Sequence, residues 1–329
     1  MAGRAPPSRS GAPVTRRAVL RAGAALGLLA AVPSCSSPFA GRRLVLATGA
    51  TEGVYYTLGT ALAGVWQDDL DLDVRPDVRS TAGSVDNLAQ LTGRTVDVAF
   101  SQIDAAAEWL PTTGPTDPRA LRALARIYDD VVHLVVPADS PVVTPADLRG
   151  RRVSVGAPDS GVSFVALRLL QVVGLVPGTD LRTEQLGITE SAAALVDGAI
   201  DAFFWVGGLP TQGIAALAGL LPIRLVDLES LVERARTAYP EYAAGTVPAR
   251  SYAIPEPVTS LLVRNVLLVT ADMPDDLAGA LVRSLLEAQE ILAVTSPAAL
   301  TIDPRSAIGT QPVALHPGAE RFYRAEKDG

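Results

Sequence analysis

RLVLATGATEGVYYTLGTALAGVW, residues 43–66, changes its period once, and that change sets the fold. Leu44 to Thr48 is an apolar run of strand length. Thr48 to Gly53 is a glycine-punctuated turn, and Tyr55 to Trp66 is apolar at helical spacing. The pattern then repeats: Val74 to Val78 reads as a strand, Ser80 to Gly83 as a loop, Val85 to Leu91 as a helix. Val96 to Phe100 reads as a third strand ending on Ser101 and Gln102. Strands alternating with helices predict a mostly parallel sheet, because parallel neighbours need a crossover between them.

The second half repeats this logic. Val131 to Val136 predicts a strand, and Thr144-Pro145 opens a helix with a hydroxyl cap and proline in the first helical position. Arg152 to Val155, Thr183 to Leu186 and Ala202 to Val206 predict strands. Ser163 to Val173, Ser191 to Val196 and Thr211 to Leu217 predict helices, and GAPDSG (156–161) is a second glycine-rich turn. Val266 to Thr270 is strand-like. Pro274 starts a helix running to about Val294, with Asp275 and Asp276 complementing its dipole. The expected architecture is two α/β lobes, each a mixed, mostly parallel sheet flanked by helices.

Each lobe should present strand ends and helix N-termini to a shared cleft, the place where open α/β sheets bind ligands and where a small anion is favoured. Thr48, Thr51, Glu52, Tyr55, Ser80, Thr81, Ser84, Asn87, Ser101 and Gln102 fall at or just after the first three strand ends. Singly, each has a plain local use as a cap or turn residue. Together they mark one rim of a small-molecule site. Asp159, Ser160, Gly161, Ser163 and Trp205 would face them, although Trp205, next to Phe203 and Phe204, also suits a core. Neither glycine turn carries GxGxxG or GxxxxGK[ST], so a nucleotide is not supported.

Composition narrows the classes. Of 329 residues, 48 % are hydrophobic and 19 % charged, as expected of a folded globule. The net charge is −7, and every acid lies beyond Cys35, where 23 basic residues face 35 acidic ones. Such a body has no use for a phosphate backbone, which needs clustered Lys and Arg. Two histidines and one cysteine cannot build a His/Cys metal site or an internal disulfide. No cofactor is implied. His133 sits inside the apolar run VVHLVV and reads as a core histidine, and His316 lies in the turn-like HPGA. The neighbouring carboxylates Asp68-Asp69 and Asp129-Asp130 read most simply as solvated. No GxSxG or other nucleophile with base and orienting acid is present, so an enzyme is not expected.

The first 34 residues read as an export signal. Ala22 to Val32 is an apolar stretch too short to span a bilayer. It is preceded by TRRAVLR (15–21), which resembles the twin-arginine signature, and followed by VPSC (32–35), which resembles a lipobox with Pro33 in an unusual place. Cys35 would carry the lipid, holding the body outside the membrane on a tether over 35–41.

Six ordered segments carry a family resemblance. TGATEGVYY (48–56), STAGSVDNL (80–88), VDVAFSQID (96–104), RVSVGAPDSG (152–161), DGAIDAFF (197–204) and LHPGAERFY (315–323) are similar to the corresponding motifs of TAXI-type solute-binding subunits of TRAP transporters. The resemblance implies a type II-like periplasmic-binding-protein fold. The protein would be a lipoprotein on the outer face of the cell membrane that closes on a small organic anion, such as glutamate or a dicarboxylate, and passes it to ion-gradient-driven membrane subunits. A sensory lipoprotein presenting its ligand to a histidine kinase would share the same residues. The implied lobes are 42–130 with 251–329, and 131–250, with crossings near 128–132 and 245–253. Thr51, Tyr55, Ser84, Asn87, Ser101, Gln102, Ser160 and Gly161 carry over as ligand contacts. Glu52 replaces a family glycine and would pair with a ligand ammonium. Arg79 and Arg126 are candidates for a carboxylate clamp.

Overall fold

The computed structural model describes residues 1–3, 37–114 and 116–328. Arg16, Arg17, the apolar stretch 22–32 and Cys35 lie outside the described residues. The opening motif folds as its period dictates: Val45–Ala47 is β1, Val54–Asp69 α1, Asp77–Arg79 β2, Ser84–Thr92 α2 and Val98–Gln102 β3. β1 pairs in parallel with β2 and β3. Leu58, Leu62 and Trp66 recur every four residues along α1 and pack with Leu46 and Phe100, each buried side chain contributing about 2 kcal/mol.

After the short α3 (Ile103–Trp109) the chain enters β4, Leu121–Pro137, which is 17 residues long and begins well before the expected Val131. β5 (Arg152–Ser154), α4 (Gly161–Val173), β6 (Arg182–Glu184), α5 (Ile188–Val196) and β7 (Ala202–Gly207) then rebuild the parallel motif, with β5 between β6 and β7. Next come α6 (Gln212–Ala218), β8 (Ile223–Leu225), α7 (Glu229–Ala238) and β9 (Tyr242–Val247), and a second long strand, β10, Val258–Thr270. Thr144-Pro145 opens only a 3₁₀ turn, Pro145–Leu148, although its capping box with Asp147 is formed. The helix from Pro274 breaks at Ala288 into α8 (Asp275–Glu287) and α9 (Gln289–Thr295). A four-residue helix α10 (Pro304–Ala307) and α11 (Pro317–Asp328) close the chain. His316 is fully buried in front of α11, its Nδ1 accepting from Gly318 N, rather than standing in an open turn.

The described strands form one ten-stranded sheet in the order β2-β1-β3-β10-β4-β7-β5-β6, with β9 on β10 and β8 on β4. The outer strands of each half are parallel, while β4 and β10 run antiparallel through the centre. They belong to both halves. Leu124, Ala125 and Tyr128 of β4 pack with the α1 core, whereas Val132, Leu134 and Val136 pack with α4 and β7. In β10, residues 258–263 pair with β9 and residues 265–268 with β3, with a register shift between Arg264 and Val266. The second crossing therefore lies within β10, downstream of the expected 245–253. Two α/β lobes joined by two long strands result, and the residues at the crossing, Asp130 and Asn265 among them, fall between the two cores.

Candidate functional site

A cavity whose ≈ 640 Å³ of empty space includes the solvent at its open mouth lies where the lobes meet over the crossing strands. Four helices start at its wall: α1 after Gly53, α2 after Gly83, α4 after Ser160 and α5 after Gly187. The first N–H groups of a helix have no partner within it. Gly53, Gly83 and Gly187 supply no capping side chain, so no N-cap side chain occupies the donors of these turns. Only α4 is capped, by Ser160 Oγ accepting from Ser163 N at 3.0 Å.

Two glycines here are demanded by geometry. Gly83 has φ 122°, a conformation that L side chains rarely adopt. A Cβ on Gly161 would stand 2.2 Å from Gln102 Oε1 and 2.8 Å from Ser84 Oγ. The lobes thus touch across the cleft. Asp86 N donates to Asp159 O at 3.1 Å in the same seam.

The floor is polar and buried. Asp130, 3 % exposed, accepts from Gln102 Nε2 at 3.0 Å through Oδ2, while its Oδ1 and Gln102 Oε1 have no hydrogen-bond partner. Burial pushes the Asp130 carboxyl up to about 7, opposed by the Gln102 and Asn265 amides. The Tyr55 hydroxyl donates to Asn265 Oδ1, and its ring stacks on Phe100 at 5.1 Å and meets Tyr128 edge-on at 6.2 Å. Burial raises both phenols well above the ordinary value, so they stay neutral donors. Val54, Val162, Ile188 and Val206 make much of the remaining wall apolar.

Of the residues singled out from sequence, Tyr55, Ser84, Gln102, Ser160, Gly161 and Trp205 line the cavity. Trp205 is half-buried and ties its Nε1 to Thr211 Oγ1 at 3.1 Å, so it is a wall residue as well as a packing one. Asn87 and Ser101 are fully buried behind the wall. Asn87 Nδ2 donates to the carbonyls of Thr48 (2.6 Å) and Phe100 (2.8 Å), fastening the first loop to β3, and Ser101 Oγ donates to Gln102 O at 3.0 Å. Thr51 and Glu52 are exposed and bonded to each other at 2.8 Å. Glu52 lines a neighbouring hollow with Thr57 and Gln212 instead.

Arg79 is engaged with Asp77 and the Thr95 carbonyl, and Arg126 makes a two-pronged pair with Asp129 beside a different hollow, so neither clamps a guest here. Asp130 corrects the reading of the Asp129-Asp130 pair as solvated: one faces Arg126 and the other is buried at the floor. His133 is buried as expected, 3.2 Å from the Tyr252 hydroxyl.

This geometry has known relatives. Residues 46–327 match the NMT1-like family, a span that takes in both lobes and every residue of the cavity wall. The chain belongs to the NMT1-like family. XAC2383 from Xanthomonas citri, solved bound to ATP, is 16 % identical with a TM-score of 0.53, over 88 % of this chain and 99 % of that one. A ligand-binding component of an ABC-type import system from Staphylococcus aureus, solved with zinc bound, is 11 % identical with a TM-score of 0.51, over 85 % and 98 %. At such identities the likeness establishes the fold: this NMT1-like chain has the two-lobed periplasmic-binding-protein-like architecture. Among the described residues no helix is long and apolar enough to cross a membrane, and no group of His, Cys, Asp and Glu is placed to hold a metal ion.

Proposed function

We propose that this NMT1-like protein is an extracytoplasmic solute-binding lipoprotein of a TAXI-type TRAP transporter. It binds a small carboxylate-bearing solute between its lobes, does no chemistry on it, and delivers it to membrane subunits. The observation that carries this reading is the convergence of four helix N-termini from both lobes on one cavity, with buried polar groups at its floor. Tyr55, Ser84 and Gln102 from one lobe and Ser160, Gly161 and Trp205 from the other are the proposed contacts. A ligand held by both lobes selects the shut arrangement, with the crossing strands as the hinge. The six motif segments favour a TRAP partner, whereas the Staphylococcus relative is described as part of an ABC-type import system.

Two measurements test the reading. A thermal-shift screen of the purified protein against small organic acids and amino acids should give a hit, because a ligand at a hundred times its Kd adds about 2.7 kcal/mol. No hit from any carboxylate would sink it. Palmitate labelling in cells should be present in the natural protein and absent from Cys35→Ser. Reconstitution with the membrane proteins encoded beside it then decides between a TRAP permease, an ABC importer and a sensor kinase.

A further inference from the structure

The cavity's charges are lopsided. None of the described residues lining it is Arg, Lys or His, and its one carboxylate, Asp130, is almost wholly buried with Oδ1 unpartnered. A dicarboxylate would place its second negative charge in a space that holds no cation and already contains an acid. A buried charge is stable only when paired and hydrogen-bonded. Asp130 accepts from Gln102 Nε2 through Oδ2 and has the Asn265 amide and the Tyr128 hydroxyl beside it, all neutral groups, while the charges that act on it are those of other acids, Asp129 and Asp104, with Asp129 already paired with Arg126. The missing partner is a cation.

Position supports the same conclusion. Asp130, on β4, and Gln102, at the end of β3, are hydrogen-bonded to each other and line the cavity together with the N-terminal residues of α1, α2, α4 and α5. Helix N-termini that favour an anion and buried acceptors that favour a cation therefore line the same cavity. The rest of the wall is largely Val54, Val162, Ile188, Val206 and the rings of Tyr55 and Tyr128. No guanidinium or ammonium waits there for an acidic side chain.

We propose that the site selects a small, net-neutral zwitterion with an apolar body, in chemical terms a neutral aliphatic α-amino acid. Its ammonium sits on Asp130 and Gln102 Oε1, its carboxylate on the N-terminal turns of α1, α2, α4 or α5. This rests on the solute-binding reading above and narrows it: Asp130 becomes the specificity determinant, and glutamate and dicarboxylates become poor ligands. Gln102 orients the carboxylate through Nε2 and leaves Oε1 as a second acceptor, so Gln102→Leu should weaken the amino acid while sparing ligands without an ammonium.

The test is isothermal titration calorimetry on the purified protein with matched probes. L-alanine, L-valine and L-leucine are compared with L-glutamate and succinate. L-leucine is also compared with 4-methylpentanoate, which lacks the ammonium, and 3-methylbutylamine, which lacks the carboxylate. At least one neutral amino acid should bind about 100-fold more tightly than L-glutamate, and removing either charged group from leucine should cost a similar factor. Asp130→Asn should lower leucine affinity about 100-fold and bring leucine and 4-methylpentanoate to within about threefold of each other. The matched pair on the unaltered protein reads the same charge preference without any variant. Tight binding of succinate, glutamate or 4-methylpentanoate would overturn the ammonium assignment while leaving the receptor standing. Binding of none of these carboxylates would overturn both.

Discussion

Two carboxylates are buried where the lobes meet, and they are treated differently. Asp104, on α3, is 0 % exposed, yet it is fully provided for: the Tyr242 hydroxyl donates to it at 2.8 Å, its own helix supplies Ala105 N at 2.8 Å, and Arg168 stands 3.8 Å away. Arg168 is itself held between the faces of Phe164 (4.2 Å) and Tyr239 (4.3 Å) and paired with Glu108 at 2.8 Å. Burial pushes the Asp104 carboxyl up to about 6, the Tyr242 hydrogen bond and Arg168 working against it. Asp130, at the cavity floor, has only neutral donors, the Gln102 and Asn265 amides, and among the described residues no counter-ion, and it stands higher, at about 7. A buried acid whose partners are all within the fold holds the fold together. One left short of partners beside a cavity is available to a guest.

The comparison breaks most visibly at Arg168. Arg168→Leu would leave Asp104 buried with neutral donors only, and we expect a loss of about 3 kcal/mol at pH 8 in chemical denaturation. Asp104 has a folded pKa above its unfolded value, so the cost of its charge is fully present above about pH 6, declines between about pH 6 and 4, and is gone below about pH 4, where both states become protonated. The Arg168→Leu penalty should shrink across that window. A penalty that does not change with pH would mean that Arg168 acts through its stacking alone.

Asp130→Asn should move stability the other way. Removing a charge that the ligand-free fold barely accommodates should add on the order of 2 to 4 kcal/mol at pH 8. The gain should be fully present above about pH 7 and vanish as the pH falls toward the unfolded carboxylate's value near 4. Asp104→Asn should gain less, because its folded value lies nearer the unfolded one and the substitution leaves Arg168 without one of its partners. If Asp130→Asn destabilises instead, Asp130 has an internal partner and the contrast between the two acids collapses.

The contrast also marks where sequence reading runs out. The βα units were legible because their period switches from strand to helix at glycine turns, as at Thr48 to Gly53 and Gly156 to Gly161. Tyr55, Ser84, Gln102, Ser160, Gly161 and Trp205 were legible as residues at strand ends and helix starts. Asn87 and Ser101 carry the same chemistry but are turned inward, and only three dimensions separate them from their neighbours. Asp130 was missed because Asp129-Asp130 looks like a solvated pair beside a strand thought to begin at Val131. The signal was in ALARIYDDVVHLVV (123–136), which has no glycine or proline to stop a strand. Adjacent strand residues face opposite sides, so in a continuous strand the two acids cannot share one environment. Asn265, inside VRNVLLVT, was hidden in the same way.

A smaller effect sharpens the assignment. If the bound form needs Asp130 charged, a proton competes with the ligand ammonium, and leucine affinity should fall about tenfold for each pH unit below about 7. Burial pushes Asp130 up, the Gln102 and Asn265 amides pull it down and the Asp129 and Asp104 charges add smaller upward pushes, while Tyr55 and Tyr128 remain neutral throughout. The α-carboxyl and α-amino groups of the amino acid do not change charge between pH 5 and 7. The dependence should therefore be absent from Asp130→Asn. A 4-methylpentanoate affinity that rises on acidification would instead show Asp130 protonated and donating to an anion.

The smallest expected effect concerns Glu52, the acid that stands where the resembled family has glycine. From sequence it was the candidate for a ligand ammonium, since it directly precedes the N-cap of α1. In the structure it is exposed, takes a hydrogen bond from Thr51 Oγ1 at 2.8 Å, and faces the hollow beside the cavity rather than the cavity itself. Solvent screens a charge so placed, and an exposed carboxylate contributes little to a buried pair. Glu52→Gln should leave leucine affinity within about twofold and stability within about 0.5 kcal/mol, read by the same calorimetry and denaturation. A tenfold loss of leucine affinity in Glu52→Gln, with Asp130→Asn neutral, would exchange the roles of the two acids. It would also mean that in the bound protein the opening motif turns Glu52 over the cleft, so that the ammonium is met at the mouth and not at the floor.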